Sequence, residues 1–207
     1  MSAAMATPPV DFALLARRIP PLVRFGASSW NYPGWHGLVY HRNYEGKGAP
    51  ARMLEEYARF PLFRTVGIDS SFYAPPTDEV LRAYAEHLPP GFPCVSKVWN
   101  QITVQTFSKT QDSARAGKTN PDFLNPEVFL EAVLDPYQRH FADHMGAFVF
   151  EFQAIGRGSG IGPTEFADRL DHFFSALPRD VRYAVEIRND DFLTPMYFAV
   201  LREHEVA

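Results

Sequence analysis

The sequence predicts an α/β fold whose parallel sheet curls into an incomplete barrel, and three observations support this prediction. Segments with strand-like alternation and segments with helical spacing follow one another, and no hairpin signal separates them. Each predicted strand has one apolar face, and its other face carries polar groups towards the carboxyl end. Both faces of a doubly wound sheet meet helices and should be apolar, so a barrel fits the pattern better.

Composition is that of an ordinary globular protein. Of the 207 residues, 46% are hydrophobic and 21% are charged, and the net charge of −4 gives no sign of strong attraction to nucleic acid or to an anionic membrane. No apolar run approaches the length of a membrane span, and the N-terminus lacks the apolar core of a secretory signal. Cys94 is the only cysteine, which excludes an internal disulfide and is compatible with the cytoplasmic location that we expect.

Residues 1–22 are predicted to form an N-terminal extension to one domain that spans residues 23–207. Asp11 is suited to cap a short amphipathic helix in this extension, and two consecutive prolines end that helix. The chain before Asp11 is expected to be poorly ordered.

The first strand is predicted over residues 23–30, with Ser28 and Trp30 on its polar face. The loop that follows is rich in proline and glycine and contains several aromatic residues, including Tyr32 and Trp35. Aromatic side chains often line ligand sites, so these rings could wall a pocket. A hydrophobic plug over the end of the barrel explains them equally well.

The second strand is predicted over residues 64–71, after an amphipathic helix over residues 51–60. Alternation places Asp69 and Ser71 on the face away from the helices, and Tyr73 follows shortly after the strand. Two prolines end the strand, and a threonine then caps the next helix.

The third strand is predicted over residues 93–99, where Lys97 alternates with apolar neighbours and should point away from the helices. Residues 100–125 form the least regular stretch and are predicted to be a long loop, a type of segment that is often functional. Its Gly-Lys-Thr sequence does not indicate a phosphate-binding loop, because the required preceding glycine and the strand–loop–helix setting are missing.

A helix is predicted over residues 126–144, and His140 and His144 near its end have a spacing that could bind a metal. This helix end precedes a strand, so it lies at the opposite end of the sheet from the expected site. We therefore predict no metal.

The last two predicted strands carry further charges. Glu151 and Gln153 lie on the polar face of the strand over residues 147–153, and a helix begins at the proline of the glycine-rich loop that follows. Glu186 and Arg188 point the same way at the end of the strand over residues 182–188. Ligands bind at this end of parallel α/β sheets, whereas a salt bridge that plugs the core is the alternative interpretation. A final helix is predicted over residues 195–203.

Several segments resemble the YecE-like family, the domain of unknown function numbered 72. These segments are GASSWNYPGW (26–35), MLEEYARFPLFRTV (53–66), TVGIDSSFYAP (65–75), CVSKVWNQIT (94–103) and YAVEIRNDDFL (183–193). The resemblance extends from Val23 to Ala207 and implies a TIM barrel without a settled activity. Such a barrel takes about 250 residues, so this chain, with about five of eight βα units, is expected to be a truncated member.

The leading functional hypothesis is an uncharacterised, enzyme-like barrel that acts on a small polar or anionic substrate, with hydrolysis as the reaction. The predicted catalytic residues are Glu186, Lys97, Asp69 and Glu151, with Glu186 as the first choice for the base. The predicted substrate-binding residues are Arg188, Ser28, Trp30, Tyr32, Trp35, Ser71, Tyr73 and Gln153. No cofactor is predicted.

Two alternatives stay open. Trp30, Tyr32, Trp35 and Tyr73 could stack on bases in a nucleic-acid-binding or processing protein, although the acidic balance argues against this reading. The chain could also be an inactive fragment. Open sheet edges would favour its self-association, and no membrane association is expected.

Overall fold

A computed structural model describes residues 10–109 and 112–207. This part of the chain contains a four-stranded parallel sheet in the order β1-β2-β3-β4. The strands are β1 (Val66–Ile68), β2 (Cys94–Lys97), β3 (Met145–Phe152) and β4 (Arg182–Ile187). Successive strands pair in parallel, and the connections between them contain helices. The predicted α/β class, with a parallel sheet that does not close, is confirmed.

The helices predicted over residues 51–60 and 195–203 are present within a few residues of their predicted bounds. The helix predicted over residues 126–144 is interrupted by a π-helical segment and ends at His140, and a short helix begins the stretch predicted to be a loop. The helices are α1 (Phe12–Arg18), α2 (Ala49–Arg59), α3 (Asp78–His87), α4 (Asn100–Thr103), α5 (Pro126–Phe129), α6 (Asp135–His140), α7 (Pro163–Ser175) and α8 (Pro195–Glu203). A π-helical segment, Leu130–Leu134, joins α5 to α6. Within the described residues, no helix is long and apolar enough to cross a membrane.

Side-chain caps fix where several helices begin. The Asp11 carboxylate accepts a hydrogen bond from the backbone N–H of Leu14 at 2.9 Å, as the sequence predicted for α1. The Thr194 hydroxyl accepts from the N–H of Tyr197 at 3.2 Å and caps α8 in the same way. The part of the predicted extension before Val10 lies outside the described residues.

The first predicted strand is the main error in the fold prediction. Within residues 23–30, Phe25 makes one isolated parallel bridge to Phe63 instead of joining a ladder. The N–H of Gly67 also donates to the carbonyl of Ala27 at 2.8 Å, so the segment runs beside β1 without regular pairing. Its predicted apolar face is only partly covered, since Phe25 is 54% exposed while Ala27 packs against the core, and little apolar burial therefore stabilises a longer strand.

Helices cover one face of the sheet. Phe148, Phe150 and Phe152 alternate along β3 and are all fully buried. The ring of Phe148 packs edge-on against Phe129 of α5 at 5.9 Å, and that of Phe150 packs edge-on against Phe173 of α7 at 5.3 Å. This aromatic layer forms the centre of the core, where burial of large rings supplies much of the hydrophobic stabilisation.

The outer edge of β4 is partly paired by the end of the chain. The N–H of Val185 donates to the carbonyl of Ala207 at 2.8 Å, and the N–H of Ala207 donates to the carbonyl of Tyr183 at 3.1 Å. Ala207 therefore occupies the place of a next strand in the sheet.

Candidate functional site

The register of the sheet brings the predicted charged residues together. Glu151 of β3 pairs with Glu186 of β4, and Lys97 of β2 pairs with Val149, two residues before Glu151. Asp69 follows β1 directly. These charged side chains meet on the face that the helices leave open, at the carboxyl ends of the strands.

Five charged side chains form a continuous series of ion pairs on this face, which we call the ion-pair row: Asp69, Lys97, Glu151, Arg188 and Glu186. Lys97 Nζ lies 3.7 Å from Asp69 Oδ2 and 2.8 Å from Glu151 Oε2. Arg188 Nη2 lies 3.3 Å from Glu151 Oε1 and 2.5 Å from Glu186 Oε1. Three carboxylates share two cations, so the row carries one net negative charge.

The members of the row differ in how freely solvent reaches them. The Glu151 side chain is 12% exposed and contacts both cations, which makes it the anchor of the row. The side chains of Glu186 and Asp69 at the two ends are 41% and 38% exposed. The end carboxylates, and not the central one, are therefore placed to meet a ligand.

The charge state of Lys97 limits its chemical role. Its hydrogen bond to Glu151 raises the pKa of the lysine above the ordinary value, with the Asp69 carboxylate acting in the same direction and burial opposing them. Lys97 is thus protonated at neutral pH. It can hold an anionic group or stabilise negative charge, but it cannot act as a base there.

Ser71 and Gln153 take different positions around the row. Ser71 is buried, and its Oγ lies 2.6 Å from the backbone carbonyl oxygen of Lys97 and also contacts that of Ile68. It therefore positions the lysine strand and does not face solvent. Gln153 is exposed and follows Glu151 by two residues, so it extends the open face beyond the row.

The aromatic residues predicted to line the pocket do not act as one group. Trp30 is 3% exposed, its Nε1 donates to the carbonyl of Pro50 at 2.7 Å, and its ring packs edge-on against Tyr84. Trp30 thus belongs to the hydrophobic core. Trp35 is half-buried and stacks on Tyr57 at 6.2 Å. A buried Trp30 cannot stack on a base, which weakens the nucleic-acid alternative.

Three other predicted residues stay accessible. Tyr32 and Tyr73 are 57% and 75% exposed, and each ring has an aromatic neighbour close to it in the sequence. Ser28 is exposed, and its backbone passes so close to β1 that a Cβ on Gly67 would lie 2.8 Å from Ser28 Cα. Their role in binding stays a prediction.

The two histidines considered as metal ligands have other partners. His140 Nε2 lies 3.0 Å from Asp78 Oδ2, and His144 is buried with its Nδ1 3.1 Å from the carbonyl oxygen of Phe92. In the described ranges, no group of three or more histidine, cysteine, aspartate or glutamate side chains is arranged to hold a metal ion.

A family model matches most of the chain, including all four strands and the charged residues at their ends. The family model described as "Protein of unknown function DUF72" matches residues 24–207. The chain belongs to the DUF72 family. No curated protein matches it.

Solved DUF72 structures share this fold. A DUF72 family protein from Enterococcus faecalis V583 superposes with a TM-score of 0.56 and 18% identity, over 89% of this chain and 58% of its own. One from Thermotoga maritima MSB8 superposes with a TM-score of 0.57 and 17% identity, over 88% of this chain and 62% of its own. The present chain thus spans about three fifths of the length of these relatives.

A second feature of this DUF72 chain was not predicted from the sequence. A cavity of about 440 Å³, which we call the loop pocket, opens between residues 103–108 and 117–119 on one side and the loop that follows β3 on the other. Its lining includes Thr103, Gln105, Thr106, Thr119, Gln153 and Ser159. The signal in the sequence was the density of threonine, glutamine and serine in residues 100–125, but that composition is equally typical of a solvated loop.

Proposed function

We propose that the ion-pair row is the centre of an active site that hydrolyses a small polar or anionic substrate. The observation that supports this most is the gathering of five charged side chains from successive strand ends on one open face. Parallel α/β proteins bind their ligands at this edge of the sheet. Clustered titratable groups in such a position are more often functional than structural.

The exposures of the side chains suggest separate roles. Arg188, whose side chain is 55% exposed, and the protonated Lys97 would hold an anionic or strongly polar group of the substrate. Glu186 has a free path to solvent and one cation beside it, so it would accept a proton from an attacking water as general base. Glu151 would keep both cations in place.

The competing interpretation is that these charges form a plug that only neutralises itself. A plug inside a core would be buried away from water, as buried salt bridges are. Here three of the five side chains are more than a third exposed, which favours a site over a plug.

The test is hydrolysis of three chromogenic probes by the purified chain: 4-nitrophenyl acetate, 4-nitrophenyl phosphate and 4-nitrophenyl β-D-glucoside. We expect turnover of at least one probe and a loss of about 10²–10⁴-fold in Glu186→Gln, the usual contribution of a general base. Glu165→Gln is the matched control, because Glu165 is an exposed carboxylate paired with Arg169 on α7. Absence of turnover, or equal turnover in Glu186→Gln, would reject the proposal.

A cytoplasmic location is part of the same proposal. Cys94 is a buried free thiol, and burial raises its pKa to about 12, so it is protected from oxidation and ionisation. A chain of this kind needs no oxidising compartment. Localisation of a fluorescent fusion tests this directly.

Self-association through open sheet edges completes the proposal. Among the described residues, Ala207 pairs with the outer edge of β4 at Tyr183 and Val185, which leaves the rest of that edge available to other chains. Light scattering on the purified chain should show a dimer or larger species whose share rises with concentration. A monodisperse monomer would contradict this part.

A further inference from the structure

We propose that the loop pocket is a binding site for a neutral, polyhydroxylated small molecule, such as a sugar or a polyol. The pocket is built from other residues than the ion-pair row, and the proposal holds whether or not the row is catalytic. Its volume of about 440 Å³ lies within the range of small-molecule sites.

The chemistry of the lining indicates the class of ligand. Among the described side chains that line the pocket, none is charged, and the polar ones are hydroxyls and amides. Hydroxyls and amides both donate and accept hydrogen bonds, and this matches a ligand whose own hydroxyls do the same. A phosphate or carboxylate would instead require cationic donors.

Thr103 provides an independent observation at this site. The residue lines the pocket and is 1% exposed, and its Oγ1 has no hydrogen-bond partner among the described residues. Burying an unpaired hydroxyl costs free energy. Rotation of this side chain towards the pocket would let a ligand hydroxyl pair with Oγ1 and remove this cost, so Thr103 should contribute to binding.

The walls of the pocket are held in place before any ligand binds. The side-chain amide of Asn120 donates to the carbonyls of Gln101 at 2.6 Å and Val104 at 2.8 Å, which ties the returning strand of the loop to its start. On the other wall, the Asn189 side chain accepts from the N–H of Ile155 at 2.7 Å. A preorganised pocket loses less entropy on binding than a flexible loop would.

The experiment is a titration of the full chain with D-glucose, D-galactose, D-xylose and myo-inositol, followed by saturation-transfer NMR and calorimetry. We expect saturable binding of at least one of these, and weaker binding of D-glucose 6-phosphate than of D-glucose. Thr103→Val and Thr119→Val keep the side-chain shape and remove one hydroxyl each. Each should weaken binding by about three- to ten-fold, as expected for one lost hydrogen bond.

Thr164→Val is the matched control, because Thr164 is exposed at the start of α7 and does not line the loop pocket. Thr119 is also exposed, so its variant should fold even if Thr103→Val does not. Glu186→Gln should leave sugar binding unchanged, which separates this proposal from the hydrolytic one. Failure of all four probes to bind, stronger binding of the phosphorylated sugar, or unaltered affinity in Thr119→Val would overturn it.

Discussion

The two faces of β3 show how one strand serves two purposes. Phe148, Phe150 and Phe152 point to one side and are buried among helices, whereas Val149 and Glu151 point to the other and stay partly accessible. The first face excludes water and stabilises the fold. The second face keeps charges at the edge where a ligand arrives. Substitutions on the apolar face should therefore mainly lower stability, whereas substitutions on the charged face should mainly lower activity.

The largest effect on stability is expected at Phe150. Its ring is fully buried among Phe129, Phe173, Phe174 and Tyr183, so Phe150→Ala should lower the free energy of unfolding by about 3–5 kcal/mol. Chemical denaturation with a circular-dichroism readout measures this loss.

Val149→Ala is the matched substitution on the open face. Val149 is only half-buried, so its truncation should cost clearly less than that of Phe150. An equal or larger loss for Val149→Ala would mean that both faces carry core packing, and the comparison would fail.

The next effect in size is expected at Glu151, the anchor of the ion-pair row. Glu151→Gln removes the charge that two cations share, and we expect a loss of about 1–2 kcal/mol, between the values for exposed and buried pairs. Hydrolysis of any chromogenic probe that the wild type turns over should also be lost. A stability unchanged from wild type in urea denaturation would show that Glu151 does not hold the row together.

The sequence predicted most of the fold because its signals are local. Alternation in β3 and β4, and caps such as Asp11 and Thr194, depend on near neighbours and are visible in a single chain. The strand over residues 23–30 also alternates, but the structure covers its apolar face only in part. Alternation alone does not show which face another element covers, so this strand was the error.

The charged part of the candidate site could be predicted from the sequence, because it also depends on local strand alternation. Strand period placed Lys97, Glu151 and Glu186 on one face, and the parallel register then brought them together. The burial of Trp30 and the existence of the loop pocket depend on contacts between distant segments. Trp30 meets Pro50 across twenty positions, and no pattern near Trp30 indicates that partner.

A smaller effect on the free energy of unfolding is expected at alkaline pH. The folded-state pKa of Lys97 lies above its unfolded value, so the stability that its ion pair contributes is fully present below about pH 10, near the ordinary lysine pKa. It is lost as the pH rises through the raised pKa. The free energy of unfolding should therefore fall more steeply above about pH 10 in wild type than in Lys97→Met.

Ionisation of buried tyrosines also destabilises the protein above about pH 10, but it does so equally in wild type and in Lys97→Met, so the comparison of these two proteins is not affected. Burial raises the pKa of Tyr57 to about 12, for example, and this effect is common to wild type and Lys97→Met. Parallel pH profiles of the two proteins, measured by urea denaturation, would show that the Lys97–Glu151 pair contributes nothing to folding.

The smallest effect on stability, and the most direct test of the central claim, is expected from Arg188→Ala. The side chain is 55% exposed, and the loss of its exposed ion pairs should cost no more than about 1 kcal/mol. If the open face is a site, the urea midpoint should stay near that of wild type while hydrolysis of the chromogenic probe disappears. An unfolded or strongly destabilised Arg188→Ala, or one that keeps full hydrolytic activity, would contradict the account.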